Sequence, residues 1–197
     1  MSKTVEFYYD FGSPTTYLAH KRLQQLEAEY DLEVVYKPIL LGGIFKATGN
    51  TTPVAVPAKG KYMLEHDLPR FARRYGVPLN FNPHFPINTL GLMRGAIAAQ
   101  RLGCLPRYLD VVFDAVWVAG ENMGDPEVVS RVLSEADLDV EALMPLLQDP
   151  EVKAELVNGT EEAVKRGAFG APTLYMDGEI YFGQDRLDFI EEALAAK

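Results

Sequence analysis

The strongest constraint on the fold of this chain is the placement of its strand signals. Two lie near the start, two near the end, and about 125 residues between them carry none. Thr4-Val5-Glu6-Phe7-Tyr8-Tyr9-Asp10 has the aromatic and β-branched content of a strand, which Phe11-Gly12-Ser13-Pro14 breaks. Ser13 ahead of Pro14 is a helix start: a capping hydroxyl, then proline in the first turn. Tyr17, Leu18, Leu23, Leu26 and Tyr30 continue at helical spacing to about Glu29, and residues 32–38 read as a second strand. Such a βαβ opening requires two parallel strands joined by a right-handed crossover.

Residues 42–57, rich in Gly, Thr and Pro, read as a loop. Helical patterns follow at roughly 58–75, 89–102, 106–118, 126–135, 139–147 and 150–166, most of them separated by Pro or Gly. Strand character returns at Pro172-Thr173-Leu174-Tyr175-Met176. Asp177-Gly178 signals a type I′ hairpin, and Glu179-Ile180-Tyr181-Phe182 completes it. A last helix is expected from about Asp185 to Ala195. The order βαβ, helices, ββα predicts an α/β, thioredoxin-like fold with a four-stranded mixed sheet. Residues 1–40 and 167–197 form that domain in this reading, and 41–166 is an inserted all-helical domain.

Composition narrows the function. A net charge of −9 and a pI near 4.9 argue against a nucleic-acid or anionic-membrane surface. The opening residues enter a strand with no apolar leader, and no apolar run approaches membrane-spanning length, so the expected compartment is the cytoplasm. One cysteine, Cys104, forbids an internal disulfide or a Cys-x-x-Cys pair. Any thiol chemistry must therefore borrow its sulfur. His20, His66 and His84 lack metal-ligand spacing, and no phosphate-cradling glycine motif occurs.

Four places can carry chemistry. Ser13 stands where strand one meets helix one, at the positive end of a helix dipole, with Pro14 and Thr15 beside it. Its ordinary role is a cap worth about 1 kcal/mol. Gly170-Ala171-Pro172-Thr173 precedes the third strand, where a thioredoxin-like fold holds a cis-proline opposite the helix start. Ala171 can there pair with an extended ligand as an added strand. Gln184 and Asp185 open the last helix, with Asp185 its expected N-cap and both able to meet ligand polar groups. Gly49-Asn50-Thr51-Thr52-Pro53 reads as a turn, flanked by Lys46 and by Lys59-Gly60-Lys61, a basic spot in an acidic chain.

Four segments together carry a resemblance over nearly the whole chain: Phe7-Tyr8-Tyr9-Asp10-Phe11-Gly12-Ser13-Pro14, Gly43-Ile44-Phe45-Lys46-Ala47-Thr48-Gly49-Asn50, Phe169-Gly170-Ala171-Pro172-Thr173 and Phe182-Gly183-Gln184-Asp185-Arg186-Leu187. In that order they resemble the 2-hydroxychromene-2-carboxylate isomerases and the kappa-class glutathione transferases, sister groups in the DsbA-like branch of the thioredoxin superfamily. The resemblance implies glutathione as cofactor, a small aromatic substrate and a homodimer. It implies that Ser13 bonds the glutathione sulfur and favours its thiolate, and that Asn50 and Lys59 contact the tripeptide. Ala171, held by Pro172, would pair with its cysteinyl backbone, and Gln184 and Asp185 would hold its γ-glutamyl end. Lys46 is the candidate for a substrate carboxylate. In the isomerases the thiolate adds reversibly to an unsaturated carbon, allowing rotation to trans-o-hydroxybenzylidenepyruvate; in the transferases it attacks an electrophile and stays attached. A non-catalytic peptide-binding module is the alternative of another class.

Overall fold

The computed structural model describes residues 2–196. Strand β1 (Lys3–Tyr9) is followed by helix α1 (Pro14–Glu29) and strand β2 (Leu32–Pro38). Helix α2 (Leu41–Thr48) comes next, then a 3-10 turn (Pro53–Ala55), α3 (Pro57–Tyr62), α4 (Leu68–Tyr75), α5 (Leu90–Arg101), α6 (Leu105–Asp114), α7 (Pro126–Glu135), α8 (Val140–Leu146) and α9 (Pro150–Lys165). Strands β3 (Thr173–Met176) and β4 (Glu179–Phe182) and helix α10 (Leu187–Ala195) close the chain. The sheet order is β2-β1-β3-β4, with β1 and β2 parallel and the other pairs antiparallel, the mixed four-stranded sheet expected. Asp177 and Gly178 both take positive φ, 53° and 86°, as a type I′ turn needs. No helix among the described residues is long and apolar enough to cross a membrane.

Alternation along β1 sets the two sides of the core. Val5, Phe7 and Tyr9 join the large cluster with α1, α5 and α6, while Tyr8 faces a smaller one with Ile39, Ile44, Ala163 and Tyr175. Both faces of β1 are thus covered toward its C-terminal end, where Phe7, Tyr8 and Tyr9 are buried in succession.

Residues 42–57 are not one loop. Leu41, Ile44 and Phe45 fall at helical spacing, and two glycines mask that signal. Gly43 earns its place by size: a Cβ there would meet Thr160 Cγ2 on α9 at 3.1 Å. Gly49, at φ 70°, ends α2 in the left-handed region. The predicted helix at 58–75 is α3 and α4 joined by one π-helical turn, Met63–Asp67. That turn falls directly before Pro69, which has no N–H and would crowd the carbonyl of Glu65 in a regular helix.

His20 ties α1 to the helical segment. Its ring is buried, stacks on Phe113 and lies 3.0 Å from the Tyr36 hydroxyl and 3.1 Å from an Asp110 oxygen. A neutral ring satisfies both contacts, with Tyr36 donating to Nδ1 and Nε2–H donating to Asp110. Burial pulls the His20 pKa below its ordinary value, although Asp110 opposes the shift. The unfolded chain therefore takes up this proton first, and stability falls as pH drops through about 6.5. Unfolding free energies from urea titrations at pH 7.5 and 5.5 should differ by up to about 1.4 kcal/mol from this ring. The difference should shrink in His20→Gln, and an unchanged difference would refute the assignment.

Candidate active site

Ser13 sits in the turn between β1 and α1, which three unrelated contacts hold. The buried Asp10 carboxylate accepts the Gly12 N–H at 2.9 Å through one oxygen and the Leu41 N–H at 2.7 Å through the other. Trp117 Nε1 donates to the Phe11 carbonyl at 2.7 Å. Ser13 N donates to the Asp10 carbonyl at 3.2 Å. Burial raises the Asp10 pKa, and the Leu41 and Gly12 N–H groups oppose that shift.

Ser13 is indeed the N-cap of α1: its Oγ accepts from Thr16 N at 3.2 Å, with Pro14 following. The same Oγ donates to the Ala171 carbonyl at 3.1 Å and lies 2.8 Å from Thr15 Oγ1. Thr15 Oγ1 also reaches the Ala171 carbonyl, at 3.3 Å. Two hydroxyls therefore converge on one carbonyl, and the peptide bond between Ala171 and Pro172 is cis. A second cis bond, before Pro86, had no sequence signal.

These groups line a cavity of about 450 Å³ that also takes in Asn50, Lys59, Gln184 and Asp185. Nine of the ten predicted site residues thus meet in or beside it, Pro172 through its bond to Ala171. Asn50 Nδ2 donates to the Phe169 carbonyl at 2.8 Å, closing the loop over the cavity. Gly49, not Asn50, takes the left-handed conformation of that turn. Gln184 is buried, and its side-chain amide makes no hydrogen bond among the described residues. Its backbone carbonyl accepts from the Tyr75 hydroxyl, whose pKa burial pushes up to about 12. Lys59 is exposed and in no ion pair among the described residues.

Two expectations are corrected. Lys46 is not in this cavity. Phe45 faces it, while Lys46, one residue on, faces a different one, because adjacent helical positions diverge by about 100°. Asp185 is not the cap of α10. A 3-10 turn, Gln184–Arg186, precedes that helix, and Asp185, inside the turn, pairs with the Arg186 guanidinium instead.

The reading of the sequence missed the rest of the lining. Phe45, Phe81 and Phe85 supply an aromatic wall, and Asp67 lines the cavity as a further acid. Phe81 and Phe85 pack on Trp117, so the wall and the Ser13 turn share one support. Asp10 had a visible signal: an aspartate ending a buried strand, just before a turn, is costly unless backbone N–H groups meet it.

The chain is similar to known proteins along nearly its whole length. The model of the family described as DSBA-like thioredoxin domain matches residues 4–195. A 2-hydroxychromene-2-carboxylate isomerase of Sphingobium xenophagum is 32% identical over 98% of this chain and 99% of its own. Human glutathione S-transferase kappa 1 is 29% identical, covering 100% of this chain and 93% of its own. A solved 2-hydroxychromene-2-carboxylate isomerase superposes with a TM-score of 0.87 at 31% identity, covering 98% of this chain and 94% of that one. With the cis-proline facing a helix-start serine, and with these relatives along its whole length, the chain is an enzyme of the DSBA-like thioredoxin domain family, in the branch of the 2-hydroxychromene-2-carboxylate isomerases and kappa-class glutathione transferases.

Proposed function

We propose that the cavity binds glutathione and that the enzyme isomerises a small unsaturated aromatic compound, 2-hydroxychromene-2-carboxylate being the first candidate. The single observation that carries this reading is the Ser13 hydroxyl, set at a helix start and directed at the carbonyl before Pro172. The lining also suits a tripeptide of glutathione's charges. Lys59 supplies a free cation for a carboxylate, Asp185 an acceptor for an ammonium group, and Gln184 a side-chain amide. Bound there, glutathione would supply a thiolate able to add reversibly to an unsaturated carbon.

The chain's own residues prepare that sulfur. The two hydroxyl protons now rest on each other and on the Ala171 carbonyl. A ligand N–H arriving at that carbonyl would replace them, freeing the Ser13 proton to face an anion. The dipole of α1 favours negative charge at the same place. A hydroxyl donor and a helix start together lower a thiol pKa by about 1–2 units from its usual value of about 8.5. No histidine lies in this lining, so Ser13 acts as donor and not as nucleophile.

A second reading, conjugation to a small electrophile, has one observation in its favour. Among the described residues, Lys59 is the only basic side chain lining the cavity, and with Lys46 outside it none of them offers a second cation for a substrate carboxylate. Calorimetry with glutathione should give binding, weakened in Lys59→Ala. Turnover is then measured with the chromene carboxylate and with a chloronitrobenzene. Conjugation without isomerisation selects the second reading, and absence of glutathione binding leaves only a peptide-binding module. The proposal includes a homodimer in the cytoplasm, with residues 41–166 acting as a helical domain inserted between 1–40 and 167–197.

A further inference from the structure

A second cavity, of about 610 Å³, lies on the far side of α2, between that helix, the start of α5 and the length of α9. Its floor is aliphatic: Leu90, Leu156, Val157 and Val164. Val157 is 55% exposed, an apolar side chain left facing solvent beside a hollow. Around that floor stand four cations, Lys46, Arg94, Lys153 and Lys165, against one acid, Glu161.

This concentration runs against the rest of the molecule. The chain has 28 acidic and 19 basic side chains, and its other cations enter many ion pairs. None of these four is in an ion pair among the described residues. Arg94 is the more telling case. Its Nε is buried and has no hydrogen-bond partner, a condition that buried N–H groups of native proteins rarely tolerate. An anion seated beside it would supply the missing acceptor, and charged acceptors bond guanidinium groups most strongly.

We propose that this cavity is a second binding site, for an amphipathic carboxylate whose charged head meets Arg94 and the neighbouring lysines and whose aliphatic body lies along α9. Its volume is in the range of small-molecule sites, and an aliphatic lining with a few convergent polar groups is their usual character. The site is independent of glutathione. None of its lining residues lines the first cavity, so it stands or falls separately from the reading above.

The test uses the full chain with 13C-labelled methyl groups, titrated with decanoate. Saturable shifts are expected at Leu156, Val157 and Val164, and not at Val54, Val56 or Met63, which belong to the first cavity. Arg94→Met should weaken decanoate binding at least tenfold. Lys153→Glu, at a half-exposed position that spares the fold, should also weaken it, and decan-1-ol should bind far more weakly than decanoate. Shifts confined to the first cavity, no saturable shifts, or equal affinity in both variants would each overturn the proposal. So would sedimentation showing that Val157→Glu dissociates a dimer, since a second copy of the chain would then occupy the groove.

Discussion

Ser13→Ala is expected to lower turnover at pH 7 by about 8- to 25-fold while costing only about 1 kcal/mol of stability. The first figure is the thiolate fraction lost when the bound thiol pKa rises by about 1–2 units. The second is the usual loss of an N-cap hydroxyl, here the acceptor for Thr16 N. The defect should narrow as pH rises toward 9, where the thiol ionises without help. Rates with glutathione across pH 6 to 9, together with urea midpoints, separate these outcomes. A loss of activity no larger than the loss of stability, or a defect independent of pH, would return Ser13 to capping alone. Ser13→Thr, which retains a hydroxyl, should recover part of the rate.

The largest loss of stability is expected from Asp10→Asn, although it removes only a charge. Asp10 accepts two backbone N–H groups, one on each oxygen. Asparagine offers one acceptor and one donor, so either the Gly12 or the Leu41 N–H would face an NH2 group in a dry site. Leaving one buried donor unmet costs about 1–3 kcal/mol. The turn that carries Ser13 and the start of α2, which carries Phe45, would both loosen, so glutathione affinity should fall along with the urea midpoint. Wild-type stability in this variant would mean that one of the two contacts is dispensable.

Much of this architecture can be read in the chain because local signals and tertiary demands agree. Ser13-Pro14 is a good helix start in any protein, and Asp177-Gly178 is a good hairpin. The βαβ and ββα ends each leave a sheet edge that only the other can extend. α2 was hidden because two adjacent glycines weaken its helical signal, and one of them, Gly43, obeys a packing demand from α9, which lies more than a hundred residues away in sequence. Lys46 as a site residue and Asp185 as a helix cap failed for a related reason. What a side chain does depends on where its helix turns begin, and those beginnings are set by Leu40–Leu41 and by the turn at Gly183. The aromatic wall was illegible because Phe81 and Phe85 reach the site only by packing on Trp117, a contact with no local trace.

The short helix α2 is a partition with a chamber on either side, and its stand-off from α9 is fixed by the missing methyl at Gly43. The width of the chamber beside Ser13 is thus adjustable from outdoors. Added bulk on the α9 side would press Phe45 inward without altering a single residue that a substrate touches. Selection on this chain can retune its fit for a reactant through positions that no inspection of the reactant's own contacts would flag.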